Sequence, residues 1–211
     1  MKGLFITLEG PDGSGKSTIA RLLADYLKEK GYDVVTTREP GGTKISEDIR
    51  DIILDTNNTN MSYVTEALLY AASRAQHVSQ KIRPAIESGK VIICERFVLS
   101  SLVYQGIARG LGIEKVKEIN DFAIQGINPD LILFFDIPPD VALKRKTKKN
   151  QGDRLEREKL EFHKKVYEGY LSLIDIYKEK INLIDATKTK HNTFQQVKVA
   201  LDNLLEKSKE E

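Results

Sequence analysis

Short apolar runs bounded by turn residues recur along the chain, at Leu4–Leu8, Tyr32–Thr36, Val91–Cys94, Leu131–Phe135 and Ile181–Ile184. Each has the length of a strand, and most are apolar at successive rather than alternate positions, the pattern of a strand covered on both faces. Helical periodicity separates them. The first helical stretch carries Ile19, Leu22, Leu23, Tyr26 and Leu27, with Gly31 as a suitable stop. A longer one begins near Ser62, a fitting cap, and runs towards Ser88 and Gly89, with Pro84 placed to bend or divide it. Helical patterns also cover Glu114–Ile124, Pro139–Lys148, Arg154–Tyr177 and His191–Leu205. Strands alternating with helices predict an α/β fold, a five-stranded parallel sheet with helices on both faces. No repeat or linker divides the chain, so residues 1–211 read as one domain.

Composition narrows the possibilities without naming a function. With 33 Lys and Arg against 31 Asp and Glu, the net charge is +2, too small for a general polyanion binder, so any basic function has to be local. The one cysteine, Cys94, lies within the apolar "VIICE", which excludes a disulfide framework and a thiolate metal cluster and suits a buried, inert thiol. No apolar segment approaches the ~18 residues needed to span a bilayer. The amino terminus lacks the look of a cleaved signal, so the expectation is a cytoplasmic protein acting on neither membrane nor nucleic acid.

Chemistry enters at "EGPDGSGKST", between the first strand and the first helix. Gly10, Pro11, Asp12, Gly13, Ser14, Gly15, Lys16 and Ser17 complete the pattern GxxxxGK followed by Ser or Thr, and Thr18 comes next as a further nucleotide-binding candidate. Its glycines let backbone N–H groups surround a phosphate chain and the helix terminus adds positive potential. Lys16 reaches the outer phosphates, while the Ser17 hydroxyl can ligate Mg²⁺. That motif fits a kinase, an ATPase or a GTPase switch equally. Asp12 is not asked for by the motif. It would repel a phosphate, so it either stabilises the turn or accepts a hydrogen bond from a hydroxyl on another molecule.

The second strand leads into "TREPGGT" and the third ends in "ICERF", which puts Arg38, Glu95 and Arg96 at the carboxyl edge of the sheet, where open α/β sheets bind ligands. Arg38 suits a phosphate, with Glu39 to steady its guanidinium and Pro40 to fix the turn. Glu95 could hold Mg²⁺ through water while Arg96 faces phosphate. Arg38 and Arg96 together exceed what one triphosphate needs beside Lys16, which suggests two phosphorylated ligands, a donor and an acceptor.

With these segments in place, the chain resembles the thymidylate kinase family of P-loop nucleoside monophosphate kinases. The likeness covers nearly the whole chain, in "EGPDGSGKS", "TREPGGT", "LLYAASRAQH", "ERFVLSSLVYQG", "NPDLILFFDI", "GDRLE" and "DAT". It implies ATP with Mg²⁺ as donor, dTMP as acceptor, a short helical lid over about 144–156, and a homodimer formed through helices. It also implies residue roles. Tyr70, otherwise unremarkable as core filler, would stack on thymine, Arg74 would bond the base edge, and Gln105 would read the pyrimidine amide. Tyr104 would pack against the deoxyribose and Asp12 would receive the sugar 3′-hydroxyl. Arg38 and Arg96 would hold the acceptor phosphate, with Arg50 among the substrate-binding residues and Glu39, Pro40, Ser100 and Ser101 bordering that site.

The lid, "KRKTKKNQGDRLE", reads by itself as a solvated helix face, with a nucleic-acid patch as the lesser alternative. The resemblance implies a catalytic arginine here, since the phosphate loop carries Gly13 and Ser14 rather than a basic residue. Arg154 is the first choice, followed by Arg145 and Lys149. Glu95 stands where the family usually has Asp. His77 reads as structural or at the rim of the site, and His163 and His191 as surface residues. Two other readings stay open on the residues alone: a kinase for another pyrimidine nucleotide or deoxynucleoside, and a nucleotide-dependent switch.

Overall fold

A computed structural model describes residues 3–145 and 152–210. Its sheet contains β1 (Leu4–Glu9), β2 (Val34–Arg38), β3 (Val91–Glu95), β4 (Leu131–Asp136) and β5 (Ile181–Asp185). The order is β2-β3-β1-β4-β5 and every pairing is parallel. Strand pleating explains the two-sided apolar runs. Ile6, Leu8, Ile93, Leu133 and Phe135 pack with one set of helices. Phe5, Ile92 and Cys94 face the other way, as do Ile132 and Phe134. Cys94 is buried as expected, and burial holds its thiol well above the usual range.

The sheet's register controls where the chemistry falls. Leu8 and Arg38 both pair with Glu95, so the carboxyl ends of β1, β2 and β3 finish level. The chain leaves β1 at the point where the strand order departs in both directions, the crevice in which such sheets take ligands. Helices α1 (Lys16–Glu29), α2 (Lys44–Leu54), α3 (Tyr63–His77) and α4 (Arg83–Glu87) follow in order, the first two flanking β2. After them come α5 (Val98–Ser101), α6 (Ile113–Ile124), α7 (Pro139–Arg145), α8 (Leu160–Tyr177) and α9 (Lys190–Glu210).

Several boundaries differ from expectation for identifiable reasons. β2 starts at Val34, two residues late, because the Tyr32 N–H returns to the Leu27 carbonyl at 3.0 Å and closes the end of α1 across Gly31. The long stretch from Ser62 is divided: α3 gives way to a π turn over Val78–Ile82, across which Arg83 N–H bonds Val78 O, and Pro84 opens α4. Proline supplies no N–H to an i−4 carbonyl, so a widened turn absorbs the break. Helix α8 begins at Leu160 rather than Arg154. The Asp153 carboxylate accepts from the N–H groups of Leu155 and Glu156 at 3.0 and 2.9 Å, closing a turn that competes with helix. His163 is buried against Phe162, not on the surface, and its Nε2 has no partner among the described residues. The expected extension of α7 to Lys148 lies outside the described residues. No described helix is long and apolar enough to cross a membrane.

Candidate active site

The phosphate loop is shaped by glycines whose conformations an L side chain resists. Gly10, Gly13 and Gly15 have φ of 136°, 83° and 92°. A Cβ on Gly13 would stand 2.2 Å from the Ala142 carbonyl oxygen, so the loop lies directly under α7. Helix α1 has no side-chain cap and no acid in its first turn, which leaves its positive end available to an anion. Lys16 is buried and folds back over the loop, donating to the carbonyls of Gly10 and Pro11 at 2.9 and 2.8 Å and to Ser14 Oγ at 3.2 Å. Burial, aided by the charge of Arg96, lowers its pKa to about 7. Beside it Ser17 Oγ donates to Glu95 Oε2 at 2.7 Å, joining the end of β3 to the start of α1.

Arg96 follows directly with φ of 67°, a left-handed conformation that costs an arginine of the order of 1–2 kcal/mol. Its side chain is held from four sides. Nη2 donates to Asp12 Oδ1 at 2.7 Å and to the Tyr104 hydroxyl at 3.3 Å, and Nη1 donates to Ser100 Oγ at 3.1 Å and to the Tyr170 hydroxyl at 3.4 Å. Beneath lies Glu9, fully buried, accepting from the Phe97 N–H at 2.8 Å, Ser100 Oγ at 2.6 Å and the Tyr170 hydroxyl at 3.2 Å. Burial raises its pKa, against the pull of Ser100 and Arg96. Glu9 thus braces the turn that presents Arg96.

The second cationic group is built differently from expectation. Arg38 is steadied by Glu47, which accepts from its Nη2 at 2.9 Å and from the Gly42 N–H at 2.7 Å. Burial alone would push the Glu47 carboxyl up, but these donors hold it below the usual range. Arg38 and Arg50 each donate to the Pro40 carbonyl at 2.8 Å, bringing two guanidiniums to one point. Glu39 turns inward instead, to Arg74 Nε at 2.7 Å and His77 Nδ1 at 3.0 Å, and His77 Nε2 meets Thr37 Oγ1 at 2.8 Å. His77 is therefore structural.

A cleft of about 410 Å³ unites these groups with Tyr70, Arg74, Ser100, Ser101, Tyr104 and Gln105, a volume suited to a small-molecule site. Tyr70 and Arg74 sit one turn apart on α3, with Arg74 only 1% exposed. Three of the five guanidinium N–H groups of Arg74 are taken, by Glu39, Ser101 and Asn120. Burial keeps Tyr70 and Tyr104 protonated throughout the physiological range.

The lid candidates lie elsewhere. Arg154 donates from Nε to the Ile53 carbonyl at 2.9 Å and from Nη2 to Glu66 Oε2 at 2.6 Å, so Asp153, Leu155 and Glu156 line the cleft in its place. A buried carboxylate holds Arg154 there. Arg145 donates to the carbonyls of Ala186 and Thr187 after β5, at 2.6 and 3.0 Å. Lys149 lies outside the described residues. Reading the sequence overlooked Glu9, Glu47, Glu66 and Tyr170. An acid closing an apolar strand could have marked Glu9, and an acid four residues before Tyr70 could have marked Glu66.

A glycine-rich phosphate loop at the β1 edge, faced across one cleft by a second cluster of arginines and a set of base-sized side chains, defines a P-loop kinase of the nucleoside monophosphate type. The sequence profile described as Thymidylate kinase matches residues 8–197. The chain is 56% identical over 193 residues to the thymidylate kinase of Finegoldia magna, covering 92% of this chain and 95% of that one. It is 50% identical to that of a Geobacillus species, covering 98% and 99%. The crystal structure of thymidylate kinase from Ehrlichia chaffeensis superposes with a TM-score of 0.79 at 28% identity, covering 95% of this chain and all of that one. This chain belongs to the thymidylate kinase family.

Proposed function

We propose that the protein transfers the γ-phosphoryl group of ATP to the phosphate of dTMP, giving dTDP and ADP. The observation that carries this reading is the single cleft shared by the phosphate loop and the Arg38, Arg50 and Arg96 cluster, with Tyr70, Arg74 and Gln105 on its wall. One anion site would serve a hydrolase, whereas two facing sites serve a transfer.

Lys16 leaves the loop carbonyls for the β and γ phosphates, and the first turn of α1 supports the chain of charge. Arg96 and Arg38 hold the acceptor phosphate, one of whose oxygens attacks the γ-phosphorus in line as the bond to the β–γ bridging oxygen breaks and ADP leaves. No general base is required, because a phosphate monoester is already anionic near neutral pH. Asp12 turns from Arg96 to the sugar 3′-hydroxyl. Tyr70 stacks on the base, Arg74 and Gln105 address its edge, and the bulk of Tyr104 disfavours a 2′-hydroxyl. Ser100 and Ser101 keep Arg96 and Arg74 in place. Catalysis is mainly positioning and electrostatics.

The hard oxygens of Ser17 and Glu95, in contact with each other, fit Mg²⁺ held partly by substrate phosphate and water. When bound, that ion would neutralise charge developing on the phosphate oxygens. Residues 144–156 act as a lid on a single domain, and Arg154, with Arg145 and Lys149 behind it, reaches the transferring group only when the lid closes. A second copy of the chain is the partner supported by the exposed Ile45 and Ile52 of α2, Val64 and Leu68 of α3, and Phe122 of α6. We place the enzyme in the cytoplasm, where ATP is made.

ADP release with dTMP, dUMP, UMP, dGMP, thymidine or no acceptor in parallel tests the assignment. Fast turnover with dTMP, followed at a distance by dUMP, is expected, and equal release without acceptor would overturn it.

A further inference from the structure

Glu66 is a buried carboxylate outside the phosphate machinery. It lies on α3 one turn before Tyr70 and two before Arg74, so the three share one helix face. With 0% of its side chain exposed, it is tolerated only with strong partners. Two are guanidiniums: Arg154 at 2.6 Å on Oε2, and Arg109 at 3.3 Å on each oxygen. The third is neutral. Gln105 Nε2 donates to Glu66 Oε1 at 2.9 Å.

A primary amide carries an acceptor on one side and donors on the other, and nothing intrinsic to the group decides which side faces a ligand. A carboxylate between two guanidiniums accepts and does not donate. Gln105 must therefore turn its NH2 to Glu66, which leaves Oε1 as the group it can offer the cleft. An acceptor there matches the N3–H of thymine or uracil and opposes the N3 lone pair of cytosine.

We propose that Glu66 is a positioning residue for base selection, fixing the amide of Gln105 so that the site takes 4-oxo pyrimidines and rejects 4-amino ones. The inference rests on the reading of Gln105 as the residue facing the base. Gln105 bonds Oε1 and Arg154 bonds Oε2, so movement of the lid segment leaves the amide orientation in place.

The test is Glu66→Gln, assayed with dTMP and dCMP as alternative acceptors. The replacement is isosteric but lets Gln105 face either way, while Arg109 keeps Glu158 and Arg154 keeps the Ile53 carbonyl. The kcat/KM for dTMP should fall about tenfold, the worth of one oriented hydrogen bond, and the dTMP to dCMP ratio should fall with it while the KM for ATP holds within about twofold. An equal fall for both acceptors, with the ratio intact, would overturn the proposal. If Glu66→Gln does not fold, Glu66→Asp retains the charge, withdraws the oxygens by one methylene, and is read the same way. Gln105→Ala in parallel separates the two claims. A ratio unmoved by Gln105→Ala removes Gln105 from the base, whereas a ratio lowered by it but not by the Glu66 variants removes Glu66 from the selection.

Discussion

Arg96→Ala is the most informative single perturbation, because Arg96 joins the loop, the acceptor site and the buried Glu9 cluster. The change deletes the Asp12 contact at 2.7 Å and three weaker ones, removing the Arg96 cation from Asp12 in the phosphate loop. A preorganised donor aimed at developing charge is worth about 3–4 kcal/mol, so turnover should fall roughly 10²- to 10³-fold. ATP binding depends on Lys16 and the α1 terminus, and its Kd should stay within about threefold. The left-handed backbone adds a second readout. Arg96→Gly loses the same charge but adopts φ of 67° freely, so it should be more stable than Arg96→Ala by about 1 kcal/mol, or about 2–4 °C in melting temperature. Coupled ADP release, calorimetric ATP titration and thermal melts measure the three quantities. Turnover within tenfold of the parent would remove Arg96 from the transfer step, and equal melting of the two variants would remove the backbone argument.

Lys16, lowered to about 7 mainly by burial, is increasingly neutral above that pH in the free loop and becomes charged when phosphate replaces its carbonyl partners. ATP binding should take up close to one proton at about pH 8.5 and almost none at about pH 6. Calorimetry in buffers of different ionisation heat reads this, and no uptake at the higher pH would show Lys16 already charged. Gly13→Ala places a Cβ 2.2 Å from the Ala142 oxygen at φ of +83°, and should destabilise the fold by about 2 kcal/mol or more and weaken ATP binding at least tenfold. Unchanged melting and affinity would refute that geometry. If two copies pair through α2, α3 and α6 as proposed, Leu68→Glu, at a half-exposed site on α3, should shift sedimentation from dimer to monomer, and a parent already monomeric or a variant profile unaltered would contradict that pairing.

Much of the fold was legible because a buried parallel strand leaves a two-sided apolar run that few other structures produce. The phosphate loop was legible because glycine, lysine and serine at fixed spacing answer one chemical need. Side-chain partners were less so. Arg38 is followed at once by an acid, yet it pairs with Glu47, nine residues on, while Glu39, just past the end of β2, turns to Arg74 and His77 on α3, 35 and 38 positions away. Arg154 looks free in the sequence, but a carboxylate 88 positions away holds it. The short α5 and its π turn over Leu102–Ala108 follow Arg96 without a periodic signal, since a widened turn breaks the regular apolar spacing. Local rules reach caps, turns and strands, and they stop where a buried charge chooses a partner from another element.

Direct phosphoryl transfer to dTMP is tested most closely by a single turnover with ATP made chiral at the γ-phosphorus and dTMP in excess. The account predicts that the label appears in dTDP with inversion at phosphorus, the outcome of one in-line displacement between two ligands held in one cleft. Label released as inorganic phosphate at the same rate without dTMP, or transferred with retention, would contradict it.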